Sequence, residues 1–97
     1  DEFREELSGA LERISSEFEA DFVFYLAGVD PYENDQLGGL GVSIDGMRRR
    51  DRLVLEWYRA SKTPVAVVLA GGYAFNTDDT VRMHCNTYRE LESVIGQ

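Results

Sequence analysis

Asp30 and Tyr73 are the two side chains of this sequence whose types and positions best suit chemistry. Asp30 follows the apolar run Phe22–Leu26 and its stop at Ala27-Gly28, and Tyr73 follows the run Val65–Ala70 and the pair Gly71-Gly72. If both runs are parallel strands, a carboxylate and a phenol reach the same rim of one sheet, the rim at which open α/β folds bind ligands. The carboxylate can ligate a hard or borderline metal. The phenol can donate a hydrogen bond to a developing oxyanion, and Gly71-Gly72 would let the backbone approach a substrate closely. An aspartate before a proline is also a common turn residue, so a purely local role for Asp30 stands beside the chemical one.

The elements that must position this pair are legible from periodicity. Phe3, Leu7, Leu11, Ile14 and Phe18 recur at helical spacing with Glu5, Glu6, Glu12, Arg13 and Glu17 between them, which predicts an amphipathic helix over about 2–19 with a solvated glutamate face. Phe22–Leu26 has no polar alternation and reads as a strand covered on both faces. Residues 27–44 carry Gly28, Pro31, Gly38, Gly39 and Gly41 and read as a long irregular loop, a class that is usually functional. Glu33, Asn34 and Asp35 suit a turn within it. Ser43 or Asp45 can cap a second helix over about 45–60, striped by Met47, Leu53, Val54, Trp57 and Tyr58 and stopped at Lys62-Thr63-Pro64. Val65–Ala70 is a second buried strand. Thr77 can cap a third helix over about 78–95, with Asp78 and Asp79 in its first turn and an apolar stripe of Val81, His84, Cys85, Tyr88, Leu91 and Ile95. The order α-β-α-β-α predicts an α/β fold with both strands parallel.

Composition bounds the rest. Ninety-seven residues hold one ordinary domain, and 43% hydrophobic with 11% aromatic content is globular rather than disordered. No run reaches the ~20 apolar residues of a membrane span and no signal-peptide pattern is present, so a cytoplasmic protein without a membrane partner is expected. The single Cys85 excludes an internal disulfide, and the Cys/His spacing of a structural zinc site is missing. Eighteen acidic against ten basic residues, a net charge of −8, argue against nucleic acid as a partner. Arg48-Arg49-Arg50 and Arg52 make a local basic run, but Asp45, Asp51 and Glu56 surround them, which reads as a solvated helix face. Gly38-Gly39-Leu40-Gly41 lacks the Lys-Ser/Thr of a phosphate loop. His84 reads as a satisfied residue on a buried helix face, and His84 with Cys85 cannot be a base and nucleophile, because adjacent helical side chains diverge by about 100°. Two parallel strands alone leave exposed edges and apolar faces, so the chain is expected to be a fragment of a larger domain or an obligate homo-oligomer.

Three blocks carry a resemblance: Ala27-Gly28-Val29-Asp30-Pro31-Tyr32-Glu33-Asn34-Asp35-Gln36-Leu37-Gly38, then Gly46-Met47-Arg48-Arg49-Arg50-Asp51, then Leu69-Ala70-Gly71-Gly72-Tyr73. In this order and at these intervals they resemble the C-terminal part of the zinc-dependent histone deacetylase family, including its bacterial acetoin-utilisation-type members, across essentially the whole of residues 1–97. The resemblance implies an arginase-like α/β fold with a single parallel sheet. It implies that Asp30 is a zinc ligand, that Tyr73 polarises the acyl carbonyl, and that Leu37, Gly71 and Gly72 line the acyl channel. Asp35 matches a loop-organising acidic position.

The family's Asp-x-His ligands and its His-His acid–base pair belong upstream of these blocks. This chain has one histidine, and His84 lies after the tyrosine block, matching neither pair. Zinc is therefore implied for the complete domain, while this chain alone is expected to lack most of the ligands and all of the general base, and to be inactive. Two alternatives stand beside this expectation: a non-catalytic, self-associating α/β module, and a small flavodoxin-like domain that binds an anion at its glycine-rich loops.

Overall fold

The computed structural model describes residues 2–29, 31–34, 41–71 and 74–96. Helix α1 spans Glu2–Glu17, strand β1 Val23–Gly28, helix α2 Ile44–Ala60, strand β2 Val65–Ala70 and helix α3 Thr77–Ile95. This is the expected α-β-α-β-α order. Among the described residues the sheet consists of β1 and β2, paired in parallel from Val23 opposite Val65 to Gly28 opposite Ala70.

Helix α2 is bounded by recognisable chemistry. The Ser43 side chain accepts from the Gly46 amide at 3.0 Å, one of the amides that a helix leaves unpaired at its start. At the other end Lys62 takes a left-handed φ of 57°, the Lys62 amide donates to Arg59 and the Thr63 amide donates to Tyr58. That is a Schellman stop built on a lysine where glycine is usual. Helix α3 is capped by Asn76, whose side chain accepts from the Asp78 amide at 3.0 Å. The expected cap, Thr77, is instead the first helical residue, because the amide side chain one position earlier already accepts from the Asp78 amide.

Two clusters make the core. Leu11 of α1 and Val54 and Tyr58 of α2 are buried together, with Leu7, Val23, Tyr25, Trp57 and Val65 packed against them. This cluster covers one face of the sheet. The other cluster, Val29, Tyr32, Val42, Met47, Ala74 and Met83, lies where the chain leaves the carboxyl ends of the strands. Within the expected irregular loop, residues 31–34 are tied to Val42: Tyr32 bridges Val42, the Glu33 amide donates to the Val42 carbonyl at 2.7 Å, and the Val42 amide donates to the Pro31 carbonyl at 2.9 Å.

Two expectations about burial are corrected. Neither strand is buried as expected: in β1 Phe24 and Leu26 are 68% and 65% exposed, beside exposed Phe22, and in β2 no residue is fully buried, with Val68 and Leu69 exposed. The reason is that α3 packs on α2 rather than on the open side of the sheet. The face that α3 turns inward is Met83, Thr87, Glu90 and Val94, while Val81, Tyr88 and Ile95 of the expected stripe are exposed. Contact with the arginine-rich side of α2 selects a half-polar face of α3 over its more apolar one.

Candidate functional site

The last rung of the sheet sets the frame of the site. Gly28 and Ala70 are paired, so the segments leading to Asp30 and Tyr73 depart from the sheet side by side. Asp30, Leu37, Gly72 and Tyr73 themselves, and Asp35, lie outside the described residues. Gly71 is described: it is exposed and has a φ of 65°, a left-handed conformation that glycine adopts without the Cβ penalty.

Beneath this rim lies a buried polar network. The Arg50 guanidinium, 8% exposed, donates through Nη1 to the Gly28 carbonyl and through Nε and Nη2 to Asp51 Oδ1, at 3.0 and 2.8 Å. Asp51, 2% exposed, also accepts from the Tyr25 hydroxyl at Oδ1 and from the Thr87 hydroxyl at Oδ2. The guanidinium carbon lies 5.7 Å from the centre of the Tyr25 ring. One carboxylate thus ties β1, α2 and α3 together, with its charge matched by an arginine one residue earlier in the chain. Burial raises the Tyr25 phenol above the ordinary tyrosine range, and Arg50 opposes that shift without cancelling it.

The solvated-face reading of the arginine run therefore holds for three of its members and fails for the fourth. Arg48 and Arg49 both pair with Asp45 at 2.7 Å, and Arg52 pairs with Glu56 at 2.8 Å. Arg48 and Arg52 also reach Glu90 on α3, at 3.4 and 3.0 Å. Arg50 faces inward because Met47, Arg50, Asp51, Val54, Leu55 and Tyr58 form one buried stripe of α2. That spacing was the available sign, hidden by the polarity of its middle members.

Above the network, the two loop segments are joined directly. The Tyr32 hydroxyl donates to Asp79 Oδ2 at 2.7 Å and accepts from Asn34 Nδ2 at 3.2 Å, while the Phe75 amide donates to the Asn34 carbonyl at 2.9 Å. Hydrogen bonding to Asp79 favours the protonated phenol and, with burial, raises the Tyr32 pKa. Sequence reasoning did not single out Tyr32, Asp79, Arg50 or Asp51 as members of the site.

Among the described residues no group of three or more His, Cys, Asp and Glu side chains is placed to hold a metal ion, and Asp30, the expected ligand, lies outside them. His84 is half-buried on α3, and its Nδ1 has no hydrogen-bond partner among the described residues, so the expectation of a satisfied histidine is corrected. The fully buried positions of its helix are instead Met83, Thr87, Glu90 and Val94. No helix among the described residues is long and apolar enough to cross a membrane.

Comparison with known proteins bears on these loops and strands together. The histone deacetylase domain family matches residues 1–88, a span that includes both strands, both loop segments and most of α3. The chain belongs to the histone deacetylase domain family. An uncharacterized protein of Picosynechococcus is 43% identical over 88 residues, covering 91% of this chain and 29% of that protein. Histone deacetylase 2 of Arabidopsis thaliana is 38% identical over 73 residues, covering 75% of this chain and 19% of that protein. The chain thus spans less than a third of the length of either relative. Membership in the deacetylase family accounts for a two-stranded α/β unit with one uncovered sheet face: it has the architecture of a piece of a larger domain.

Proposed function

We propose that this chain is the C-terminal segment of a zinc-dependent, deacetylase-like amidohydrolase domain and is inactive alone. In this reading it contributes a carboxylate and a phenol. Asp30 serves as one ligand of a zinc ion whose remaining ligands come from outside this chain, and Tyr73 donates a hydrogen bond to the oxyanion that develops on the substrate acyl group. Leu37, Gly71 and Gly72 form part of the acyl-channel wall. The observation that supports this most is the pairing of Gly28 with Ala70, because it makes the segments that carry Asp30 and Tyr73 leave one sheet at one rim.

The test is a chimera in which this chain replaces the aligned segment of the Arabidopsis relative. Zinc content and turnover of an acetyl-lysine peptide are then measured. Asp30→Ala is expected to lose the metal. Tyr73→Phe is expected to keep the metal and lose turnover by roughly 100- to 1,000-fold, the usual effect of removing an oxyanion donor. Full zinc occupancy in Asp30→Ala, or full turnover in Tyr73→Phe, would sink the reading.

A second reading is a non-catalytic module that associates with its own copies through the open sheet face, and it is favoured by the exposure of Phe22, Phe24 and Leu26. Light scattering of the purified chain separates the two, since a monomer at micromolar concentration excludes self-association.

A further inference from the structure

Pro31 and Ala74 are the residues that directly follow Asp30 and Tyr73, and both are anchored. The Pro31 carbonyl accepts from the Val42 amide, and Ala74, 7% exposed, packs with Val29, Tyr32, Val42, Met47 and Met83. Tyr32 is 4% exposed, so its ring is a core residue while its hydroxyl reaches across to α3. There it meets Asp79 at 2.7 Å, and the Asn34 side chain closes onto the same hydroxyl at 3.2 Å. The Asn34 carbonyl in turn holds the Phe75 amide. Two loops from different strands are thereby cross-linked within a few residues of each proposed functional side chain.

This arrangement does more than satisfy a buried phenol. A tyrosine hydroxyl needs one partner when buried. Here it has two, and one of them is a carboxylate on the element that follows the other loop. Hydrogen bonds to charged acceptors are the stronger kind, and they strengthen further away from water. Without the Tyr32–Asp79 bond, the segment between β1 and α2 is joined to the segment after β2 only by the Asn34–Phe75 backbone bond and the packing of Ala74, among the described residues, and no charged hydrogen bond ties it to α3.

We propose that Tyr32 and Asp79 form a clamp that fixes the segment following Asp30 against the segment following Tyr73, and so act as positioning residues for the proposed hydrolysis. The inference rests on that functional reading. Neither residue touches the reacting atoms. The clamp removes relative motion between two loops whose side chains must meet one substrate, and misplacement by about an ångström is enough to lower a rate strongly.

The experiment uses the chimera for turnover and this chain for amide hydrogen exchange. Tyr32→Phe keeps the ring in the core and removes only the hydroxyl. It is expected to lower kcat by roughly ten- to a hundredfold with KM changed by less than about twofold, a split that simple loss of folded protein does not produce. Asp79→Leu should do the same, the double variant should be no slower than either single one, and Asp79→Asn, which keeps an acceptor oxygen, should recover most of the loss. In this chain Tyr32→Phe should speed exchange of the Phe75 amide by roughly two- to tenfold while leaving the β1–β2 amides unchanged. If Tyr73→Phe abolishes turnover but Tyr32→Phe leaves kcat within about twofold, the clamp is overturned and the functional reading stands. If Tyr73→Phe leaves turnover intact, the functional reading falls and the positioning role falls with it, whatever the exchange of Phe75 shows.

Discussion

Arg50 reaches from α2 to the backbone carbonyl of Gly28, the last residue of β1, and holds it while its other nitrogens bind Asp51. The carboxyl end of the first strand is therefore fixed by a side chain more than twenty positions away rather than by the sheet alone. A strand that ends in glycine has no side chain of its own with which to fix that end, and the guanidinium supplies the missing constraint.

Asp51→Ala leaves the Arg50 charge buried without its counter-ion and strips partners from Tyr25 and Thr87. Removing one member of a buried pair costs about 3–5 kcal/mol, and replacing both by apolar residues of similar volume costs much less. Urea denaturation should therefore rank Asp51→Ala as less stable than the Arg50→Met, Asp51→Leu double variant. The reverse order would mean that the pair does not carry this part of the core.

Stability should depend on alkaline pH through Tyr25 and Tyr32. Both phenols titrate above their ordinary value in the folded chain, Tyr25 mainly through burial and Tyr32 mainly through its bond to Asp79. Folded-state values raised above the unfolded ones mean that the stabilisation is complete below about pH 10, the unfolded tyrosine value, and is lost as pH rises further. The urea midpoint should hold steady between pH 7 and 9 in so far as these groups set it, and fall by pH 10.5. Tyr25→Phe should make that fall shallower.

The open face of the sheet gives an opposite pair of outcomes. Phe24→Lys with Leu26→Lys should reduce self-association in sedimentation experiments while changing monomer stability little, because those side chains contact solvent. Met83→Ala should cost about 2–5 kcal/mol, because Met83 is 2% exposed in the core.

The helix ends separate two neighbouring residues and one unusual stop. Asn76→Ala should destabilise by about 1 kcal/mol through loss of the α3 cap, whereas Thr77→Ala should stay within about 0.5 kcal/mol. Lys62→Gly should stabilise by about 1 kcal/mol, since glycine occupies a left-handed φ without the strain a lysine carries. Thermal or urea unfolding of the three variants checks all of these signs.

The positions of elements marked by an apolar run or a capping side chain were legible in the sequence, though the burial of the strands was not. Val65–Ala70 is a strand at the bounds its apolar run indicates, and Ser43 caps α2 as its side chain allows. The inward face of α3 was not legible, because Met83, Thr87, Glu90 and Val94 share helical spacing but not polarity. Their burial depends on what α2 offers opposite them, namely Arg48 and Arg52 for Glu90 and Asp51 for Thr87. The same holds for Arg50, whose inward position follows from its place in the α2 stripe rather than from its charge. Tyr32 and Asp79 lie 47 positions apart, and nothing local in either neighbourhood announces their meeting.

The parallel pairing of β1 with β2 also governs how the chain folds in time. Every rung joins residues about forty positions apart, so the sheet cannot start as a hairpin and must wait until α2 has spanned the gap. Helix α2 draws on local contacts, with Ser43 and the Lys62 turn marking its ends, whereas the strands it connects depend on contacts distant in sequence. Until the rungs close, Phe22, Phe24 and Leu26 belong to an unpaired, apolar edge, which makes refolding of this chain a race between α2-guided closure and collisions with other chains. Dilution favours the first, and concentration the second.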